Sequence, residues 1–181
     1  MGFIIMFNSG FYFSFLPWEA KRFVLMVVLF TTAILPMLAV ALLSLKPKFD
    51  PSLRKTNDRL LAFLFTSAFY YLGYTLLSRI KVYPVFKILL IAAVLVIIAL
   101  LLVSVKWKIS SHLAAIGSLT GAFLTLSFRT GINPYLVIIS LIVVSGILAW
   151  ARLVLKKNNL PEITAGYFLG LTIQSLVLSL V

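Results

Sequence analysis

Residues 88–105 read ILLIAAVLVIIALLLVSV, with no charged side chain and a single serine. In water such a segment would present apolar surface on every side. In a bilayer a helix satisfies its own backbone groups while its side chains meet lipid. A spanning helix needs roughly 20 predominantly apolar residues, so this run by itself commits the chain to a membrane.

The rest of the sequence agrees with that commitment. Of its 181 residues, 62% are hydrophobic and 11% charged, whereas soluble domains carry about 25% charged residues. Polar and proline-bearing breaks divide the chain into spans expected over residues 23–45, 60–77, 85–105, 111–128, 134–155 and 161–180. The expected fold class is an all-α membrane protein, a single transmembrane domain of about six helices over residues 1–181. Residues 1–16 are apolar and aromatic but short for a span, and no basic residue precedes them as a secretory signal requires. Residues 1–22 are therefore expected to form an interfacial or re-entrant segment, with Trp18, Glu19, Lys21 and Arg22 as its interface anchor. Pro36 is expected to kink the first span, and residues 46–59, KPKFDPSLRKTNDR, to form a polar loop.

The net charge of +12 comes from sixteen Lys and Arg against four acidic residues. Such an excess suits nucleic acid, anionic lipid headgroups or a phosphorylated substrate. Nucleic acid is excluded as a partner, because the cations sit in short loops and form no basic face or tail. Alternating the loops across the membrane puts ten of the sixteen on one face: Lys46, Lys48, Arg54, Lys55, Arg59, Lys106, Lys108, Arg152, Lys156 and Lys157. By the distribution of positive charge that face would be cytoplasmic. Cysteine is absent, so no disulfide or thiolate site forms. One histidine and four scattered acids do not assemble a metal site, and no cofactor is expected.

Two spans carry small residues four apart, Gly117 with Gly121 and Gly166 with Gly170. Missing side chains at that spacing let helix backbones approach closely. The fourth and sixth spans are therefore expected to pack inside the bundle.

Polar chemistry collects at the ends of the same spans. His112, the only histidine, opens the fourth span in ISSHLAAIG behind Lys106 and Lys108. A helix N-terminus offers unpaired N–H groups and partial positive charge. Ser110 or Ser111 can cap it or donate a hydroxyl, so an anion such as phosphate is well received there. The fifth span closes and the sixth opens through ARLVLKKNNLPEITAG, which carries Arg152, Lys156, Lys157, Asn158 and Glu162. The lysines suit snorkelling to the interface. Arg152 lies within an apolar run, where a charge is costly without a partner, and its planar fork fits phosphate oxygens.

These two blocks resemble the type 2 phosphatidic acid phosphatases, integral membrane enzymes acting on lipid phosphates and isoprenoid pyrophosphates. The middle motif of that family, Pro-Ser-Gly-His, is similar to Ile109-Ser110-Ser111-His112. The last motif, Ser-Arg-x5-His-x3-Asp, is similar to Ala151-Arg152 followed by Asn158 at the histidine place and Glu162 at the aspartate place. The first, Lys-x6-Arg-Pro, has Lys55 and Arg59 as stand-ins without the proline. The resemblance covers roughly residues 100–175.

What the resemblance implies is a phosphate site in which Ser110, Ser111, Arg152, Lys55 and Arg59 bind oxygens and His112 protonates the leaving alkoxide. In the family the last-motif histidine attacks phosphorus and the aspartate orients it. Asn158 breaks that scheme, because a carboxamide nitrogen has a delocalised lone pair and makes a poor nucleophile. Binding of a lipid phosphate or isoprenoid phosphate is therefore expected to persist while turnover is weak or lost. A residual route would have His112 or Glu162 assist direct attack by water. The resemblance also implies a site turned outward, toward the periplasm of a bacterial inner membrane, against the count of positive charges. The alternative from another class is a small membrane transporter or assembly subunit with no phosphate site, in which the cations merely orient the loops.

Overall fold

The computed structural model describes residues 18–45, 56–79, 84–131 and 134–180. Residues 1–17 of the interfacial segment expected over 1–22, most of the polar loop expected at 46–59, and Lys55 lie outside the described residues, while residues 18–22 are helical and continuous with the first span. The helices are α1 (Trp18–Leu29), α2 (Leu35–Ser44), α3 (Thr56–Ser78), α4 (Pro84–Ser104), α5 (Ser111–Thr130), α6 (Tyr135–Val154) and α7 (Leu160–Leu180). A π-helical turn, Phe30–Ile34, joins α1 to α2.

Among the described residues, six helices are long and apolar enough to cross a bilayer: Lys21–Ser44, Asn57–Ser78, Val85–Ser104, Ser111–Thr130, Tyr135–Val154 and Leu160–Leu180. The chain is an all-α integral membrane protein, and each helix falls on one of the expected spans. Of the described residues, those within Phe23–Trp107 form one compact unit, here the N-terminal unit. Those within Met1–Arg22 and Lys108–Val181 form the other, the C-terminal unit.

In the N-terminal unit the disturbance expected at Pro36 takes a definite form. Proline has no N–H to give Thr32, and its ring crowds that carbonyl. The chain widens one turn earlier, where the Leu35 N–H reaches back five residues to the Phe30 carbonyl. Thr31 and Thr32 meanwhile donate their hydroxyls to the Val27 and Val28 carbonyls at 2.8 and 2.7 Å. The buried Thr31 fits only because Gly73 of α3 lies opposite it, where a Cβ would come within 2.6 Å of the Thr31 hydroxyl. Helices α3 and α4 form an antiparallel pair tied at both ends. Arg59 Nη2 donates to the carbonyl of Ser104, the last residue of α4, at 2.6 Å. Lys87 Nζ donates to the carbonyl of Ser78, the last residue of α3, at 3.4 Å. Each cation answers the unpaired carbonyls and partial negative charge of its neighbour's C-terminus.

In the C-terminal unit, α5 and α7 run parallel in close contact and α6 packs more loosely on α5. All four glycines expected at the helix contact are there. A Cβ on Gly121 would come within 2.6 Å of the Leu171 carbonyl oxygen, and one on Gly166 within 2.6 Å of the Ser110 carbonyl oxygen. Gly117 meets the Tyr167 backbone and Gly170 the Ala114 backbone more closely still. The two pairs thus interleave, with each backbone seated in the gap left by the other's missing side chains.

Candidate functional site

The close approach of α5 and α7 brings the start of α5 against the α6–α7 connection. Ser110 stands at the N-cap of α5 with extended backbone, and its N–H donates to the Glu162 carbonyl in the first turn of α7 at 3.2 Å. Lys108 Nζ donates to the Lys157 carbonyl at 2.7 Å. Lys108 was not a candidate from sequence, where nothing distinguishes it from the other interfacial cations. It fastens the two segments at a second point.

The connection between α6 and α7 has a defined shape of its own. Helix α6 closes in a Schellman motif: the Lys157 N–H bonds the Arg152 carbonyl at 3.1 Å, and the Lys156 N–H bonds the Leu153 carbonyl at 3.0 Å. Lys156 takes the left-handed position with φ 50°. Four residues on, α7 begins with half of a capping box, since Glu162 Oε2 reaches back to the Asn159 N–H at 3.2 Å. The same oxygen accepts a hydrogen bond from Asn158 Nδ2 at 2.8 Å, and Asn158 is buried. Glu162 therefore both starts α7 and fixes the Asn158 side chain.

Into this frame the polar groups converge. The middle and last motifs of the sequence meet in space, because the Ser110 N–H bonds the Glu162 carbonyl and Lys108 Nζ the Lys157 carbonyl on either side of Asn158. His112 is exposed, with Nδ1 3.4 Å from the Ser111 hydroxyl. Arg152 is half-buried in the last turn of α6, and no hydrogen bond or ion pair to its guanidinium is found among the described residues. The Ser110 side chain does not cap α5; its Oγ is buried with no hydrogen-bond partner among the described residues. A buried hydroxyl without a partner costs about 1–3 kcal/mol. A half-buried guanidinium without a partner is costly as well in a membrane helix. Two polar groups unmet among the described residues thus lie in the segments that meet at this end of the unit.

Of the remaining candidates, Arg59 belongs to the N-terminal unit, where it is buried and holds the end of α4. Among the described residues, no group of three or more His, Cys, Asp or Glu could hold a metal ion. No protein-family model, curated protein or solved structure matches the chain.

Proposed function

We propose that the C-terminal unit binds the phosphate of a membrane lipid phosphate or isoprenoid pyrophosphate. Arg152 would clamp the oxygens, the N-terminus of α5 with Ser110 and Ser111 would receive them, and His112 would stand beside the bridging oxygen. The observation that carries this reading is the docking of the N-terminus of a spanning helix, with His112 and a buried Ser110 hydroxyl, against the α6–α7 connection that carries Arg152, two polar groups without a hydrogen-bond partner among the described residues being Ser110 Oγ and the Arg152 guanidinium. An oxyanion supplies acceptors for both and negative charge for the helix end. Turnover is weak or lost, because Asn158 occupies the nucleophile's place and its amide is already bonded to Glu162. The protein is thus a phosphatase-like lipid-phosphate binder of a bacterial inner membrane, with the cradle facing the periplasm.

Two measurements test the reading. Inorganic phosphate or vanadate at a hundred times its Kd should stabilise the purified protein by about 2.7 kcal/mol, and Arg152→Ala should abolish that gain. Release of phosphate from phosphatidic acid and from an isoprenoid diphosphate should be near background for the native chain. It should rise in Asn158→His, whose ring would take over the bond to Glu162. If neither anion stabilises the protein and Asn158→His gains nothing, the transporter or assembly-subunit reading replaces this one. Orientation is read separately: the chain has no cysteine, so a lone cysteine at Asn159 should react with an impermeant maleimide from the periplasmic side.

A further inference from the structure

The opposite end of the α5 and α7 pair carries a second feature that the phosphate reading does not use. A groove of about 630 Å³ opens there, walled by Leu124, Phe128, Leu171 and Leu176, with Thr125 and Arg129 on its α5 side. Its volume lies within the usual range for sites that hold a small organic molecule. All of these residues belong to the C-terminal unit. On α5 the groove begins at Leu124 and ends at Arg129, so it lies roughly 18–26 Å along the axis from His112, toward the other surface of the membrane.

The groove's charge is confined to one place. Its α7 hydroxyls are engaged with backbone carbonyls, Thr172 donating to Phe168 at 2.8 Å, Ser179 to Leu176 at 2.9 Å and Ser175 across to Gly121 of α5 at 3.4 Å. The α7 wall therefore asks nothing polar of an occupant. Arg129 differs: Nη1 donates to the Leu178 carbonyl at 2.9 Å, which leaves the rest of a five-donor fork available. Phe128 beside it is 86% exposed. Both helices end here, and helix C-termini disfavour anions. That effect is limited to the last turn, and two of the carbonyls concerned are already engaged, Ser127 by the Gly131 N–H and Leu178 by Arg129. The full charge of the guanidinium decides the sign.

We propose that this groove seats one acyl chain of a phospholipid whose anionic head group meets Arg129, in the leaflet opposite the phosphate cradle. The apolar walls match the chain, and the single cation at the interface matches the head group. The site depends on α5 spanning the membrane and not on any activity at His112.

Native mass spectrometry of the detergent-purified protein tests it, with phosphatidylglycerol and phosphatidylcholine of identical chains and glycerol phosphate as the soluble head group. Each arm is repeated in Arg152→Ala, so that lipid held at the other end drops out. Phosphatidylglycerol should be retained as one adduct with about fivefold preference, the usual effect of one basic residue at an anionic lipid surface. Arg129→Gln should bring the two lipids to parity, while Arg129→Lys should keep the preference. Leu176→Trp fills the groove without touching Arg129 and should lower adducts of both lipids. An unchanged preference in folded Arg129→Gln, or unchanged adducts in Leu176→Trp, overturns the proposal. So does retention of glycerol phosphate equal to that of the lipid. If Arg129→Gln does not fold, the lysine and tryptophan variants decide.

Discussion

Helices α5 and α6 follow one another in sequence and cross the same membrane, yet they are used in opposite ways. Of the six spans α5 is the least apolar and the most buried, with 50% of an 18-residue stretch of it inside the protein. Helix α6 is far more apolar, and only 11% of the corresponding stretch is buried. In a soluble protein that order would be reversed. Lipid tails are as apolar as leucine, so no hydrophobic force drives spans together, and association rests on close backbone packing and interhelical polar contacts. Gly117, Thr120 and Gly121 therefore mark an inward face, while the exposed Ile139, Val143 and Ile147 of α6 mark a lipid-facing one.

The sharpest way to break this comparison is to put the same side chain on each helix type. Gly170 lies on the backbone of Ala114 and Ser118, whereas nothing lies within 4 Å of a Cβ on Gly146 of α6. Gly170→Leu must push apart a pair of backbones that have no flexible side chain to yield, at a cost above ~3 kcal/mol, the upper range for overpacking. Loss of the monodisperse protein in detergent is the expected outcome. Gly146→Leu adds a good helix former facing open space and should leave the unfolding midpoint unchanged or raise it. Equal damage from both would mean that α6 also packs against a partner.

A second contrast concerns two arginines that look alike in sequence. Arg59 is buried and bonded to the Ser104 carbonyl, whereas the Arg152 guanidinium is without a hydrogen-bond partner among the described residues. Arg59→Met should lower stability by ~2–3 kcal/mol with or without phosphate, as expected for losing a charge-assisted bond inside the protein. Arg152→Ala should change the anion-free stability by less than ~1 kcal/mol and remove only the anion-dependent contribution. Thermal unfolding with and without vanadate separates the two. Anion-dependent loss in both variants would make Arg59 a ligand as well as a brace.

Much of this was legible in the sequence, and the reason is the solvent. A bilayer demands long apolar segments with polar ends, so charges and prolines mark each span to within a few residues. The glycine pairs were legible too, since only a missing side chain admits a neighbouring backbone. The pairing of partners was not. Nothing local says that Arg59 meets a carbonyl 45 residues away, or that Thr31 packs under Gly73. Pro36 announced a disturbance, but not that the Leu35 N–H would reach back five residues to the Phe30 carbonyl. At the candidate site, the order of His112, Arg152, Asn158 and Glu162 along the chain could be read directly. The bond from the Ser110 N–H to the Glu162 carbonyl could not, because it comes from the depth to which Gly166 lets α7 settle against Ser110.

The ends of α5 and α6 sharpen the comparison by the smallest amount. Both close on a left-handed residue, Gly131 at φ 67° after α5 and Lys156 at φ 50° after α6. Glycine occupies that region freely, while a residue with a Cβ loses roughly 1–2 kcal/mol there. Lys156→Gly relieves that cost but also widens the freedom of the unfolded chain, which takes back ~0.4–1 kcal/mol. The net gain should be about 0.5 kcal/mol, a rise of roughly 1–2 °C in the unfolding midpoint for a chain of this length. Lys156→Pro should instead fail, since the Lys156 N–H is bonded to Leu153 and proline cannot adopt a positive φ. The informative readout is vanadate stabilisation in Lys156→Gly. If it is unchanged, the lysine is an interfacial charge on a tolerated turn. If it falls while the anion-free midpoint rises, the strain is kept because the ammonium serves the cradle.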